Sequence, residues 1–273
     1  MKIGKREFDT KNNIYIMGIL NVTPDSFSDG GKYNKLYYAK HHVEQMLNEG
    51  ADIIDIGGES TRPGAMMVSA DEELERVIPV VRMIKEEFDV PVSVDTYKSR
   101  VAEAVMQNGC DMINDIWGLK FDAFMGGTIA RTGAVCCLMH NQKKAEYNDF
   151  IYDVYQDLKG IAEHAIACGI PREKIILDPG VGFAKDTEQN LEICNKLRIF
   201  NRLGFPVLLG TSRKSFIGNT LHMPVDQRLE GTLATTVMAV LSGTAFVRVH
   251  DVEANKRIIQ MTKAILDADK TGF

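Results

Sequence analysis

The chain has one tryptophan in 273 residues, five cysteines and no stretch of eighteen apolar residues. Each shortage excludes something. Without such a stretch no membrane-spanning helix is expected, and residues 1 to 20 lack the basic-then-apolar order of a secretory leader. Cys110, Cys136, Cys137, Cys168 and Cys194 are odd in number and contain no C-x-x-C spacing. They read as small buried hydrophobes in a reducing compartment, so a cytoplasmic protein is expected. The nucleotide fingerprints G-x-G-x-x-G and G-x-x-x-x-G-K-[ST] are also missing, which removes the best support for an open nucleotide-binding sheet. A formal charge of −5, spread along the chain, argues against nucleic acid or an anionic membrane as the main partner. An anionic substrate must then be held by local basic groups.

What the chain does have is 45% apolar residues, arranged in eight short aliphatic runs. They cover residues 14–20, 52–57, 91–95, 111–115, 134–139, 174–178, 206–210 and 245–249, and each is near-continuous, as a parallel strand buried on both faces requires. Most end in a polar, charged or glycine-rich cluster. Repeated placement of polar groups just past strand ends is what a (β/α)8 TIM barrel needs, because its active site is built at the carboxyl ends of the strands. One α/β barrel domain over residues 1–273 is therefore expected.

Helical periodicity falls between the runs. Residues 35–49 stop at Gly50, 98–108 at Gly109 and 150–168 at Gly169. Ser69 with Glu72 makes a capping box for a second helix, in which Pro79 should produce a kink. Residues 122–132 carry Gly126-Gly127 and read as a weaker helix. Residues 187–202, 224–242 and 252–268 complete the set, while residues 1–13 read as a short strand or hairpin covering the amino end of the barrel.

The polar clusters divide into two groups. Asp55, Asp95, Asp115 and Asp178 stand at strand ends with the amide Asn114. Carboxylates in a dry barrel mouth need donors from a ligand or from cations, and a flat heterocycle with an amino-pyrimidinone edge supplies paired N–H groups, with Lys214 donating to its carbonyl. The competing reading is that some of these acids only cap helices or tie loops. Asn21, Thr61, Arg62, Arg248 and His250 form the second group, suited to a phosphate or diphosphate, and Asn21 also suits a Mg²⁺ that keeps most of its waters. Thr211 to Ser215 reads either as a phosphate cradle or as recognition of a ring face and a small carboxylate. Thr23 to Gly31 reads as a lid that excludes water from a reactive electrophile. His41-His42 reads as a solvated helix face, and Trp117 as packing.

The segments Met17 to Gly31 and Gly50 to Gly64 resemble the two signature motifs of the dihydropteroate synthase family. The likeness continues in order through Ser93 to Thr96, Ile113 to Asp115, Leu138 to His140, Leu177 to Phe183, Ser212 to Ser215 and Arg248 to Asp251. The resemblance implies condensation of 6-hydroxymethyl-7,8-dihydropterin diphosphate with p-aminobenzoate, giving dihydropteroate and diphosphate. It implies a pterin site of Asp95, Asn114, Asp178 and Lys214, and a diphosphate site of Asn21 with Mg²⁺, Thr61, Arg248 and His250, to which Arg62 is added from its neighbourhood. Phe27, Pro63 and Ser212 would line the aminobenzoate site. Asp95, Lys214, Arg248 and the lid residue Asp25 are the expected catalytic groups, and a homodimer is implied. After His140 the chain departs from the family pattern, running Asn141-Gln142-Lys143-Lys144-Ala145-Glu146. Two other readings are a methyltetrahydrofolate-dependent methyltransferase and a non-catalytic pterin-binding barrel. The first should lack the lid and Arg248-Val249-His250; the second should have lost one of Asn21, Asp95, Lys214 or Arg248.

Overall fold

A computed structural model describes residues 1–23, 32–60 and 66–268, the first four of the second stretch as backbone only. Eight parallel strands form the barrel: β3 (Tyr15–Asn21), β4 (Ile53–Gly57), β5 (Val92–Asp95), β6 (Met112–Asp115), β7 (Val135–Met139), β8 (Ile175–Asp178), β9 (Leu208–Leu209) and β10 (Phe246–Val249). They pair in the order β8-β7-β6-β5-β4-β3-β10-β9. A parallel bridge between Leu177 and Val207 brings the two ends together, reinforced by the Leu177 N–H donating to Pro206 O at 3.0 Å. The chain is a (β/α)8 barrel.

Side-chain parity divides the core in two. Residues such as Ile16, Ile54, Val94, Ile113, Cys136, Leu177 and Val247 point outward and pack against the helices. Met17, Ile53, Met112, Val135, Cys137, Ile176, Leu208 and Phe246 point inward and fill the amino half of the barrel. The antiparallel pair β1 (Lys2–Ile3) and β2 (Arg6–Glu7) closes that end, with Ile3 and Phe8 joining the inward cluster. Phe8 meets Tyr15 edge-on at 4.8 Å and Phe246 at 6.0 Å. Burying a side chain such as Phe246 contributes about 1.5–3 kcal/mol, so the inward floor is a stable base under the polar mouth.

The helices are α1 (Lys32–Glu49), α2 (Ala70–Glu87), α3 (Ser99–Gln107), α4 (Met125–Thr132), α5 (Phe150–Ala167), α6 (Thr187–Lys196), α7 (Ser215–Leu221), α8 (Leu229–Ser242) and α9 (Val252–Asp267). Gly50, Gly109 and Gly169 follow their helices with φ of 99°, 96° and 92°, the left-handed geometry expected of such stops. Several expectations need correction. The helix over 187–202 ends at Lys196 and continues as a 3-10 helix, Leu197–Leu203. The one over 224–242 starts only at Leu229, after a 3-10 turn at Val225–Gln227. Between the two, Arg228 folds back to donate to Met223 O and Arg213 O.

The strand over 206–210 shrinks to Leu208–Leu209, because Pro206 has no N–H to give the ladder. Helix α7 is missing from the periodic set, although Thr211 to Ser215 reads as a helix start and α7 begins at Ser215. Seven residues, SFIGNTL, are too few for a periodic signal. The capping box at Ser69 is half formed: Ser69 accepts from the Glu72 N–H, but the Glu72 carboxylate pairs with Arg76 instead. A complete box stands unforeseen at Asp186 and Gln189. Helix α2 is continuous through Pro79. Among the described residues no helix is long and apolar enough to cross a membrane.

Candidate active site

Strand register places the polar mouth in one inward-facing row. Asn21 pairs with Gly57, Gly57 with Asp95, and Asp95 with Asn114, so four strands present their last inward residues side by side. Parity carries Asp55, Asp178, Arg248 and His250 into the same space. The expected pterin residues Asp95, Asn114, Asp178 and Lys214 are thus brought together.

Arg248 ties them to the floor. Its Nε donates to Asp55 Oδ2 at 2.6 Å and its Nη2 to Asp95 Oδ2 at 3.0 Å. Asn114 Nδ2 donates to the same Asp55 oxygen at 3.3 Å. Asp55 is wholly buried and orients two neighbours at once: since a carboxylate only accepts, the Asn114 amide must turn its nitrogen inward. The opposite oxygens, Asp55 Oδ1 and Asp95 Oδ1, and the hydroxyl of Ser93 are buried with no hydrogen-bond partner in the described residues. Unpaired acceptors of this kind are costly and mark a site built for donors from elsewhere. Burial pushes the Asp95 carboxyl up to about 7, against the pull of Arg248.

Asp178 and Lys214 face the same space from β8 and the loop after β9. Asp178 Oδ1 accepts from the Gly180 N–H at 2.7 Å, and burial raises its pKa. Lys214 donates to Val181 O and stands 4.8 Å from the centre of the Phe183 ring. Burial lowers its pKa to about 8, with Asp178 opposing. Gly210 marks the point on which these groups converge. A Cβ built there would lie 3.9 Å from Arg248 Cβ, Asp178 Oδ2 and Lys214 Nζ alike. The absent side chain leaves the space on which the three converge.

On the anion side, the His250 N–H donates to Ser212 Oγ at 3.1 Å, and Ser212 Oγ lies 2.9 Å from His250 Nδ1. The hydroxyl accepts from the backbone and either donates to Nδ1 or accepts from it, so the pair links the imidazole to Ser212 in either tautomer. Ser212, expected against the aminobenzoate, is thus in contact with His250, expected at the diphosphate. Arg213 turns away into a bidentate pair with Asp251, so Lys214 is the cation of that loop that faces the mouth. Asn21 stands half-buried at the end of β3.

Four groups settle elsewhere. Asp115 accepts from the Trp117 and Leu119 N–H groups at 2.9 and 2.7 Å; it ties a loop, the alternative reading for such acids. Trp117 packs beside Phe121 at 5.9 Å, and His41 and His42 lie on the exposed face of α1. All five cysteines are free. Asp25 and Phe27 of the expected lid, and Thr61, Arg62 and Pro63, lie outside the described residues. Just before that second stretch, Glu59 accepts from Tyr97 at 2.8 Å and pairs with Lys98 at 2.6 Å, and Lys98 also reaches Glu73 at 2.5 Å.

Residues 17–250 match the family described as pterin binding enzyme. The chain is 53% identical to a dihydropteroate synthase of Clostridium beijerinckii, over 97% of this chain and 99% of that protein. A Clostridium difficile dihydropteroate synthase crystallised in the presence of pteroic acid superposes with a TM-score of 0.92 at 52% identity, covering 95% of this chain and 99% of that one. A Yersinia pestis dihydropteroate synthase in a sulfonamide drug complex gives 0.91 at 40% identity, with 98% and 99% covered. The chain belongs to the pterin-binding enzymes and, among them, to the dihydropteroate synthases.

Proposed function

We propose that this chain condenses 6-hydroxymethyl-7,8-dihydropterin diphosphate with p-aminobenzoate, yielding 7,8-dihydropteroate and diphosphate on the way to folate. The observation that carries the reading is the convergence of Asp178, Lys214 and Arg248 on the space beside Gly210, with Asp95 and Asn114 in one row across it. That wall presents carboxylate acceptors and one ammonium donor, the complement of an amino-pyrimidinone edge.

Asp178 and Asn114 take the ring N–H groups and Lys214 its carbonyl. Asp95, whose Oδ1 has no partner in the described residues, faces the electron-rich part of the dihydropterin ring. As the C–O bond to the diphosphate breaks, positive charge spreads from the exocyclic methylene into the ring, and Asp95 stabilises it electrostatically. The step is SN1-like. Arg248 and the His250 imidazole stabilise charge on the departing oxygens. The arylamine is neutral at pH 7 and attacks the methylene without a base, then gives up its proton. Phe27, Pro63 and Ser212 position its ring, and the Thr23 to Gly31 segment with Asp25 keeps water from the cation.

The donor set suits a hard cation. Among the described residues no three His, Cys, Asp or Glu side chains cluster for a metal, whereas Asn21 offers one amide oxygen at the mouth, as fits a Mg²⁺ that keeps its waters and is completed by substrate phosphates. Mg²⁺ held by Asn21 would neutralise diphosphate charge. Thr61 and Arg62 complete the anion site. The protein acts in the cytoplasm as a homodimer on small-molecule substrates.

Incubation with both substrates and Mg²⁺, followed by mass detection of dihydropteroate, tests the reading. Product is expected. Its absence, with methyl transfer from methyltetrahydrofolate in its place, would move the chain to the methyltransferases.

A further inference from the structure

The turn from Asp178 to Lys185 holds Lys214 in place, through Val181 O and the Phe183 ring. It is an unusual piece of backbone. Gly180 and Gly182 have φ of 72° and 87°, and Ala184, with a side chain, has φ of 45°. A Cβ at Gly180 would collide with His140 O at 2.0 Å, so the turn is pressed against the end of β7. Lys185 closes it from inside, donating to Gly180 O and Phe183 O at 2.9 Å each.

A side chain from the preceding β/α unit reaches the turn at its strained residue. The Tyr147 hydroxyl donates to Ala184 O at 2.9 Å and lies 3.1 Å from His140 Nε2. Asp157 only accepts, so its 2.6 Å contact puts the proton of the neutral His140 on Nδ1, and Nε2 and Ala184 O share the one Tyr147 proton; Asp157 is held in turn by Lys120 at 2.7 Å. The Tyr147 ring packs edge-on against Phe150 at 4.8 Å. Burial pushes the Tyr147 phenol up to about 12, so it remains a donor at any working pH. Residues 141–146, which depart from the family pattern, close on themselves through Gln142 Nε2 donating to Glu146 O at 3.2 Å and deliver Tyr147 to this position.

We propose that Tyr147 is a positioning residue for pterin recognition, pinning Ala184 in its left-handed conformation and thereby fixing the Val181 carbonyl and Phe183 ring that hold the Lys214 ammonium. Left-handed backbone at a non-glycine residue persists only where its surroundings over-determine it, and the Tyr147 hydroxyl supplies that constraint from outside the turn. Tyr147 touches no substrate. The inference rests on the pterin-site reading above.

The test is titration of 6-hydroxymethylpterin by calorimetry, with steady-state kinetics, on wild type and on Tyr147→Phe, which keeps the ring packing and removes the hydroxyl. The pterin dissociation constant and the KM for the pterin diphosphate should rise five- to tenfold, with KM for p-aminobenzoate within twofold. In a Lys214→Met background, Tyr147→Phe should add less than twofold, because it acts through Lys214. Should Tyr147→Phe fail to fold, Ala184→Val, strained at the same φ, is expected to weaken pterin binding in the same selective way. Unchanged pterin affinity in the variant, or an equal further loss without Lys214, would overturn the inference alone. No pterin binding by the wild type would overturn the reading of the site and this inference with it.

Discussion

Arg248 Nε lies 2.6 Å from Asp55 Oδ2, a contact between residues 193 positions apart. The same Asp55 oxygen accepts from Asn114, so one fully buried carboxylate orients a guanidinium and an amide. Removing the cation would leave Asp55 and Asp95 facing each other without compensation. Arg248→Met is therefore expected to cost about 3–5 kcal/mol in urea unfolding, and adding Asp55→Asn should recover part of it. A double variant no more stable than Arg248→Met would show that Asp55 is not held by this pair.

Asp95 and Lys214 bracket the pH dependence. Burial raises Asp95 to about 7 and lowers Lys214 to about 8. The site needs Asp95 ionised and Lys214 protonated, so kcat/KM for the pterin diphosphate should fall below about pH 7 and again above about pH 8. Arg248 lowers the Asp95 pKa, so Arg248→Gln should move the acid limb upward. Stability follows the same group with a definite sign. A carboxyl whose folded pKa is raised contributes stability that is present below the ordinary carboxylate range and lost as pH rises through about 7. Wild type should therefore lose more stability than Asp95→Asn between pH 5 and 8.

Asp95→Asn also separates chemistry from folding. Loss of one electrostatic stabiliser at a reacting centre typically costs about 10²–10³ in kcat. Stability at pH 7 should change by no more than about 1 kcal/mol, because the variant removes a buried charge whose second oxygen lacks a partner in the described residues. Unchanged turnover would remove the proposed role.

Gly210 tests the shape of the pocket. Gly210→Val adds methyl groups where Asp178 Oδ2, Lys214 Nζ and Arg248 Cβ converge. Valine is a good strand residue, so the barrel should form, while pterin affinity falls at least about tenfold, roughly 1.4 kcal/mol. Wild-type affinity in a folded variant would place the pterin elsewhere.

Sulfonamides should compete with p-aminobenzoate, raising its apparent KM and leaving kcat unchanged. Steady-state rates across a sulfonamide series check this, and undiminished activity in their excess would contradict the assignment of the aminobenzoate site.

The barrel was legible because β3 to β10 are apolar on both faces, and each run stands out from the helices between them. Their place at the ends of those runs also made Asp95, Asn114 and Arg248 readable as mouth residues, and parity set His250 beside Arg248. Asp55 and Asp115 show where the sequence stops. Both are acids at strand ends, yet Asp55 shares the inward face of Ile53 and joins Arg248, while Asp115 falls on the opposite face from Asn114 and ties its own loop, a distinction that needs the register of each strand. Gly210 escaped notice for the opposite reason. Its contribution is a missing side chain, which carries no chemical signal until the neighbours are in place. Tyr147 follows a segment that departs from the family pattern, and its partner Ala184 lies 37 residues on.

The central claim is a two-substrate condensation driven by loss of diphosphate. The most direct measurement is diphosphate release from 6-hydroxymethyl-7,8-dihydropterin diphosphate with Mg²⁺, with and without p-aminobenzoate. Release that requires the arylamine and matches dihydropteroate formation mole for mole is the expected result. Bound pterin with no release in the presence of the amine would contradict the account.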